Sequence, residues 1–314
     1  MLSNQIIIYD LEMKTYQQLW QSITPLYEAG EAQAIVRTVL DVRYGMTLTD
    51  IICGKVNEIS ADEERKLEEI IIRLQKGEPV QYVLGEADFA GRPFHVEPGV
   101  LIPRPETAEL CQWIEKDIIE KSIVSSGDSS EDSSGNSPQA TDDARRILDI
   151  CTGSGCIAIT LGLNIPNSEV TGWDISEDAL RIAQGNVKML KARNVRIEYQ
   201  DALALPKAAE AADLIVSNPP YICEKEKADM EKNVLEHEPS LALFVPDEDP
   251  LKFYRAIAEY ASSTLKPEGA LYFEINPIYE KETREMLEGL GFKDIETKED
   301  AFGKKRMMRA KSTK

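Results

Sequence analysis

The chain has 314 residues, and at about 150 residues per domain that length predicts two domains with ample core and no need of a disulfide or metal staple. Hydrophobic residues make up 42% and charged residues 29%, as in ordinary soluble globular proteins, yet 36 Lys and Arg stand against 55 Asp and Glu, a formal charge of −19. That balance argues against a protein held mainly by non-specific phosphate contacts and against an anionic membrane surface as partner, and leaves small-molecule and protein substrates open.

Residues 1–77 read as a small helical-bundle domain of about four helices. Tyr16 to Tyr27 and Glu28 to Tyr44 carry apolar residues at helical spacing, among them Ala32, Ile35, Val36, Val39 and Leu40, with Gly30 and Gly45 as expected breaks. Ser60-Ala61-Asp62-Glu63 is a capping box in which Glu63 bonds back to the cap. The stripe Leu67, Ile70, Ile71 and Leu74 follows, and Gly77 ends that helix. Periodicity does not distinguish a domain that only packs from one that docks a substrate. Residues 78–105 alternate short β-like runs with Gly and Pro, which predicts a β-hairpin linker between two domains, with Arg104 kept extended between Pro103 and Pro105. A helix is expected from Glu106 to about Lys121. Residues 122–143, rich in Ser, Gly and acids (Asp128, Glu131, Asp132, Asp142, Asp143), are expected to form a flexible acidic insertion.

From Arg145 strands and helices alternate. Strands are expected at Arg146 to Ile150, Glu169 to Trp173, Val195 to Tyr199, Leu214 to Ser217 and Ala270 to Glu274. Helices are expected after Gly155, after a Ser176 cap, from Pro250 to Leu265 and from Tyr279 to Leu290. Lys293 to Thr297 and Lys305 to Arg309 read as closing strands. This alternation predicts an open α/β sheet with helices on both faces.

The first strand-to-helix turn reads Asp149-Ile150-Cys151-Thr152-Gly153-Ser154-Gly155-Cys156. Gly153 and Gly155 permit a tight turn and close ligand approach, and the helix start offers backbone N–H groups. Asp174 ends the next strand, where an acid meets ribose hydroxyls in nucleotide-binding α/β folds. Asp201 follows the third strand, placed to accept from an adenine amino group. The three strand ends together predict an adenosine-containing cofactor. NAD competes, because Gly153 to Ala158 nearly matches its fingerprint; that fingerprint brings glycines to a pyrophosphate. A sulfonium cofactor has none, and an acid beside the turn such as Asp149 suits its amino acid end.

Asp213 to Ser217 runs straight into Asn218-Pro219-Pro220-Tyr221 at the ligand-binding edge of such a sheet. Two prolines stiffen the turn and remove two N–H donors, leaving carbonyls to accept. A planar –NH2 group can donate one hydrogen to the Asn218 side chain and the other to the Pro219 carbonyl, with Tyr221 packed on its flat face. An amide or aromatic amine nitrogen is a poor nucleophile because its lone pair is delocalised. Two acceptors enrich and aim it, and positioning dominates an in-line methyl displacement.

These residues resemble the class I S-adenosylmethionine-dependent methyltransferases that modify planar nitrogens. Glu78 to Gly85, Phe89, the run Val100-Leu101-Ile102-Pro103-Arg104-Pro105-Glu106-Thr107, the glycine loop and Asn218 to Tyr221 together resemble the peptide chain release factor N5-glutamine methyltransferases. The resemblance covers nearly the whole chain after the N-terminus, excluding the insertion. It implies a Rossmann-like open twisted sheet, mostly parallel with an antiparallel closing strand, in a catalytic domain of residues 106–314, with the helical domain and hairpin docking the substrate. It implies cofactor contacts from Asp149, Cys151, Thr152, Gly153, Ser154, Gly155, Asp174, Asp201, Ala202 and Asn218, and catalytic and substrate contacts from Asn218, Pro219, Pro220 and Tyr221. The implied reaction moves a methyl group from S-adenosyl-L-methionine to the glutamine of the Gly-Gly-Gln motif of class I release factors, leaving S-adenosyl-L-homocysteine. Three departures stand out: Cys151 replaces the Gly that usually opens the loop, Ala202 replaces a residue that is larger in some members, and the insertion before the first sheet strand is unusual and expected to loop away from the site.

The alternatives are a ribosomal-protein glutamine methyltransferase, a DNA or RNA amino methyltransferase of the N6-adenine type, a silent adenosine-binding scaffold and a dehydrogenase. No basic stripe or base-reading domain supports a nucleic acid substrate. Five scattered cysteines, Cys53, Cys111, Cys151, Cys156 and Cys223, with only His95 and His237 beside them, predict reduced thiols and no metal site. There is no basic n-region, cleavage signal or run of about 18 apolar residues, so a cytoplasmic chain without a membrane span is expected.

Overall fold

The structure, a computed structural model, describes residues 15–127, 144–206 and 211–314. It divides into two compact units, one up to Gly85 and one from Glu86 onward.

The first unit is helical: α1 (Tyr16–Gln21), α2 (Ala29–Tyr44), α3 (Leu48–Ile52), a 3-10 turn (Lys55–Glu58), α4 (Ala61–Leu74) and α5 (Val80–Leu84). Thr15, Thr47 and Ser60 each cap a helix in a capping box with Gln18, Asp50 and Glu63, which satisfies end N–H groups that have no intrahelical partner. Leu19, Ile23, Val36, Leu40, Leu67, Ile71 and Leu74 meet in its core. The Arg73 guanidinium ties the end of α4 to α5 by donating to the Glu78 carboxylate and to the Val83 carbonyl at 3.1 Å. Three expectations are corrected. Gly30 lies inside the first turn of α2, where its missing side chain has no steric consequence. The helix expected to reach Tyr27 stops at Gln21, where the Ser22 hydroxyl turns back onto the Leu19 carbonyl at 2.6 Å. Among the described residues up to Gly77 there are four α-helices, the number expected, and the third correction concerns the next stretch, which opens with the five-residue α5 where hairpin was expected.

The second unit opens with that hairpin, confined to β1 (Glu86–Phe89) and β2 (Arg92–His95). Its two turn residues, Ala90 and Gly91, both have positive φ (52° and 74°), the geometry that matches strand twist across a two-residue loop. Then come α6 (Pro105–Gly127), β3 (Arg145–Ile150), α7 (Cys156–Asn164), β4 (Ser168–Asp174), α8 (Glu177–Met189), β5 (Val195–Tyr199) and β6 (Ala212–Ser217). A less regular stretch holds β7 (Ile222–Cys223), α9 (Lys232–His237), α10 (Ser240–Leu243) and β8 (Phe244–Val245). The chain closes with α11 (Lys252–Thr264), β9 (Leu265–Glu274), α12 (Glu280–Gly289), β10 (Lys293–Glu299) and β11 (Lys305–Lys311). Helix α6 runs past its expected end at Lys121 to Gly127, so the first six residues of the expected insertion are helical; residues 128–143 lie outside the described residues.

Among the described residues seven strands form one sheet in the order β10-β11-β9-β6-β3-β4-β5. Pairs β3–β4, β4–β5, β3–β6 and β6–β9 are parallel, and β11 is antiparallel to both its neighbours. The antiparallel strand expected to close the sheet thus sits one place in from the edge, and β10 holds the edge. The chain winds from β3 outward to β5, then returns to β6 on the other side, so the crevice between the carboxyl ends of β3 and β6 is the topological switch point, where open α/β sheets bind ligands.

Strand alternation divides the buried residues between two faces. Ile147, Leu214, Val216, Ala270 and Tyr272 pack with α6 and α7, through Leu110, Ile114, Ile157 and Leu161. Leu148, Ile150, Ile215, Leu271 and Phe273 pack with α11 and α12, through Tyr254, Ile257 and Leu287. The same parity puts Asp149, Asn218 and Glu274 on the α6–α7 side. No helix among the described residues is long and apolar enough to cross a membrane.

Candidate active site

The switch-point crevice is a pocket with about 940 Å3 of empty space, its open mouth included. One wall is the β3–α7 loop. Cys151 (φ 64°), Gly153 (φ 55°) and Gly155 (φ 80°) all take left-handed backbone, which coils the chain tightly before α7. A Cβ on Gly155 would lie 3.1 Å from Ile159 Cδ1 and 3.2 Å from the Ala183 Cβ, so only glycine lets α7 begin this close to α8.

Asp174, at the end of β4, accepts from the Gly153 N–H and from the Ser176 N–H, each at 2.9 Å. One carboxylate therefore orders the glycine loop and the start of α8. Burial pushes the Asp174 carboxyl above its ordinary range, and the backbone N–H bonds oppose that rise. Asp201 accepts from the Leu203 N–H at 2.8 Å and shares this wall with Ala202, Ile175 and Ala179. Two acids beside flat apolar surface suit the hydroxyls and ring of a nucleoside.

Asn218 and Pro220 line the opposite end of the pocket. The Asn218 Nδ2 donates to Thr107 Oγ1 at 3.2 Å, and that hydroxyl donates to Glu274 Oε2 at 2.5 Å. The Tyr221 hydroxyl donates to Glu274 Oε1 at 3.0 Å. Glu274 is only 2% exposed, and burial raises its carboxyl pKa against the pull of both hydroxyls and of Arg306. A second buried carboxylate, Glu238, holds Arg104 at 2.5 Å and the Ile102 N–H at 3.0 Å. It pins the loop before α6 to the segment carrying Pro239, Leu241 and Ala242, which completes the pocket lining.

Of the residues singled out in the sequence, Cys151, Thr152, Gly153, Ser154, Asp174, Asp201, Ala202, Asn218 and Pro220 meet around this pocket. Asp149, Gly155, Pro219 and Tyr221 are not part of its lining. Asp149 lies beneath the loop, fully buried, where its Oδ2 accepts from Thr152 Oγ1 at 2.6 Å and from the Ala158 N–H at 3.1 Å, while Oδ1 has no partner. Tyr221 packs its ring against the α11–α12 core, with its hydroxyl donating to Glu274. Sequence reasoning missed Glu274 and Glu238. Glu274 had a signal, as an acid ending a buried apolar strand; Glu238, in an irregular segment, had none.

A doubly wound sheet, a glycine loop at its switch point and an Asn-Pro-Pro-Tyr turn across the same pocket define a methyltransferase of the open α/β class. Residues 141–298, half of the chain, match the family model described as a methyltransferase domain, and residues 19–85 match that of the PrmC N-terminal domain. The chain belongs to the release factor glutamine methyltransferase family. A protein of that name from Bacteroides thetaiotaomicron is 46% identical over 291 residues, covering 92% of this chain and 96% of that one. Another from Flavobacterium psychrophilum is 38% identical, covering 95% and 98%. Among solved structures, a 16S rRNA N2 G1207 methyltransferase of T. thermophilus superposes with a TM-score of 0.48 at 19% identity, covering 72% of this chain and 49% of that one.

Proposed function

We propose that this protein methylates the side-chain amide nitrogen, N5, of the glutamine in the Gly-Gly-Gln motif of class I peptide chain release factors. The carrying observation is that Asn218 lies in the wall of the same pocket as Gly153, Asp174 and Asp201. The choice of release factors follows the names of relatives that span nearly the whole chain.

The donor set fits S-adenosyl-L-methionine. Asp174 and Asp201 supply acceptors for a nucleoside, and Ile175, Ala179 and Ala202 supply apolar wall. When bound, that cofactor supplies a methyl group on a cationic sulfur, and its product is S-adenosyl-L-homocysteine. Asn218 Oδ1 and the Pro219 carbonyl accept the two hydrogens of the glutamine amide and turn its lone pair toward the methyl carbon. Held this way, the nitrogen would stand ready to accept the methyl group the cofactor would supply, and the methylated nitrogen would then lose one proton to water. Pro219 and Pro220 bring no N–H to compete for the lone pair. Asp149, Cys151, Thr152, Ser154 and Gly155 shape the loop, and Tyr221 buttresses the turn. We place the reaction in the cytoplasm, where thiols such as Cys151 and Cys156 stay reduced.

Mass spectrometry of the Gly-Gly-Gln tryptic peptide, after incubation of a recombinant release factor with enzyme and S-adenosylmethionine, tests this reading. One added methyl on the glutamine is expected. An unmodified peptide, with methyl instead on a ribosomal protein or on adenine of a nucleic acid, overturns it.

A further inference from the structure

Asn218 serves the proposed reaction only if its carboxamide is the right way round. The two ends of a carboxamide have the same shape and opposite hydrogen-bonding character. With Oδ1 toward the substrate, Asn218 accepts a hydrogen from the glutamine amide. Turned over, it would set its own N–H groups against that amide's N–H groups and accept nothing. Its neighbours must therefore choose the orientation.

We infer that Thr107 and Glu274 are positioning residues that fix the Asn218 amide with its oxygen toward the substrate. This rests on the reading of Asn218 given above. Thr107 Oγ1 lies 3.2 Å from Asn218 Nδ2 and 2.5 Å from Glu274 Oε2. A hydroxyl has one proton, and Thr107 donates its proton to Glu274 Oε2, which an ionised carboxylate cannot return. Only lone pairs are then left for Asn218, and only the NH2 end of its amide can meet them. The Tyr221 proton is committed to the other carboxylate oxygen, at 3.0 Å. Both hydroxyls thus point the same way, inward to Glu274.

The three groups come from three elements: Thr107 from the first turn of α6, Glu274 from the end of β9, and Asn218 from the residue after β6. Thr107 and Glu274 are each 2% exposed, so water does not substitute for either partner. The charges facing Glu274 are Arg306, which favours its ionised form, and Glu106, which opposes it. A neutral group at position 274 would remove the polarity of the chain. Its own hydrogen could pass to Thr107, the Thr107 proton could then point at Asn218, and the amide would be free to turn over.

Steady-state methylation of a full-length release factor by the intact protein tests this with three variants, alongside cofactor binding by calorimetry. Thr107→Val should lower kcat about 10-fold or more, with KM for the release factor and the cofactor Kd changed less than about 3-fold. Thr107→Ser, which keeps the hydroxyl, should recover most of kcat. Glu274→Gln should also lower kcat selectively, and it keeps the test alive if the valine variant does not fold. Wild-type kcat in Thr107→Val or Glu274→Gln, or a folded Thr107→Ser as slow as the valine variant, overturns the inference while leaving the proposed function intact. Absence of transfer to the release factor by the wild-type protein overturns both.

Discussion

Cys151 holds a left-handed backbone, φ 64°, at the point where β3 enters the glycine loop. A residue with a Cβ pays about 1–2 kcal/mol there, and the surrounding hydrogen bonds hold it in place. The Thr152 N–H on the Trp173 carbonyl and the Gly153 N–H on Asp174, both at 2.9 Å, leave the loop no relaxed alternative. Asp149, one strand position before Ile150, carries a different tension. Burial pushes its carboxyl from 3.8 up to about 7. The folded protein therefore keeps a proton that the unfolded chain releases, so stability falls as pH rises between those two values and the loss is complete above about 7. Asp149→Asn keeps both existing bonds on one oxygen and cannot ionise. Urea unfolding of the ligand-free proteins at about pH 5 and pH 8 should show the wild type losing more stability than the variant across that interval. Equal losses would mean that Asp149 is ionised throughout. The sequence pointed to Asp149 as a cofactor contact because an acid beside the glycine turn suits the amino acid end of a sulfonium cofactor. In the fold Asp149 supports the loop from beneath, through Thr152 Oγ1 and the Ala158 N–H, and that placement comes from how the loop folds over the strand end.

Among the elements, α7 and α8 show how much of the site is packing. Gly155 starts α7 against Ile159 and Ala183, at distances a methyl group cannot share comfortably. Gly155→Ala adds that contact to a positive φ of 80° and should push α7 away from α8, costing about 2 kcal/mol of stability and weakening S-adenosylmethionine binding about 10-fold. Thermal denaturation and calorimetry check the two effects separately. Unchanged affinity would show that the loop tolerates a shift of α7. Most elements of this sheet were readable in advance, because a strand buried on both faces is a short unbroken apolar run, as in Ile147-Leu148 and Leu214-Ile215-Val216. The short elements were not. The five-residue α5 and the two-residue β7 and β8 carry too few residues for a period to show, and their form comes from what they pack against.

For the molecule as a whole, the charge of −19 acts mainly through self-repulsion of the compact state. Raising NaCl from about 0.02 to 0.3 M screens that repulsion and should raise Tm by about 2 °C or more, despite weaker surface ion pairs. A falling Tm would mean that paired charges such as Arg309 with Asp117 matter more than the excess. Sequence alone determined the order of the longer strands and helices, the glycine turn, the acids at successive strand ends and the Asn-Pro-Pro-Tyr turn, because each is written in residues a few positions apart. Tertiary structure decided which of them face one another. The return of the chain from β5 to β6 brings Asn218 beside the glycine loop, and the packing of α6 over β9 brings Thr107 to Glu274, 167 residues away in sequence. Those meetings are set by sheet order and by the face each side chain takes, and both are consequences of burying two apolar layers at once.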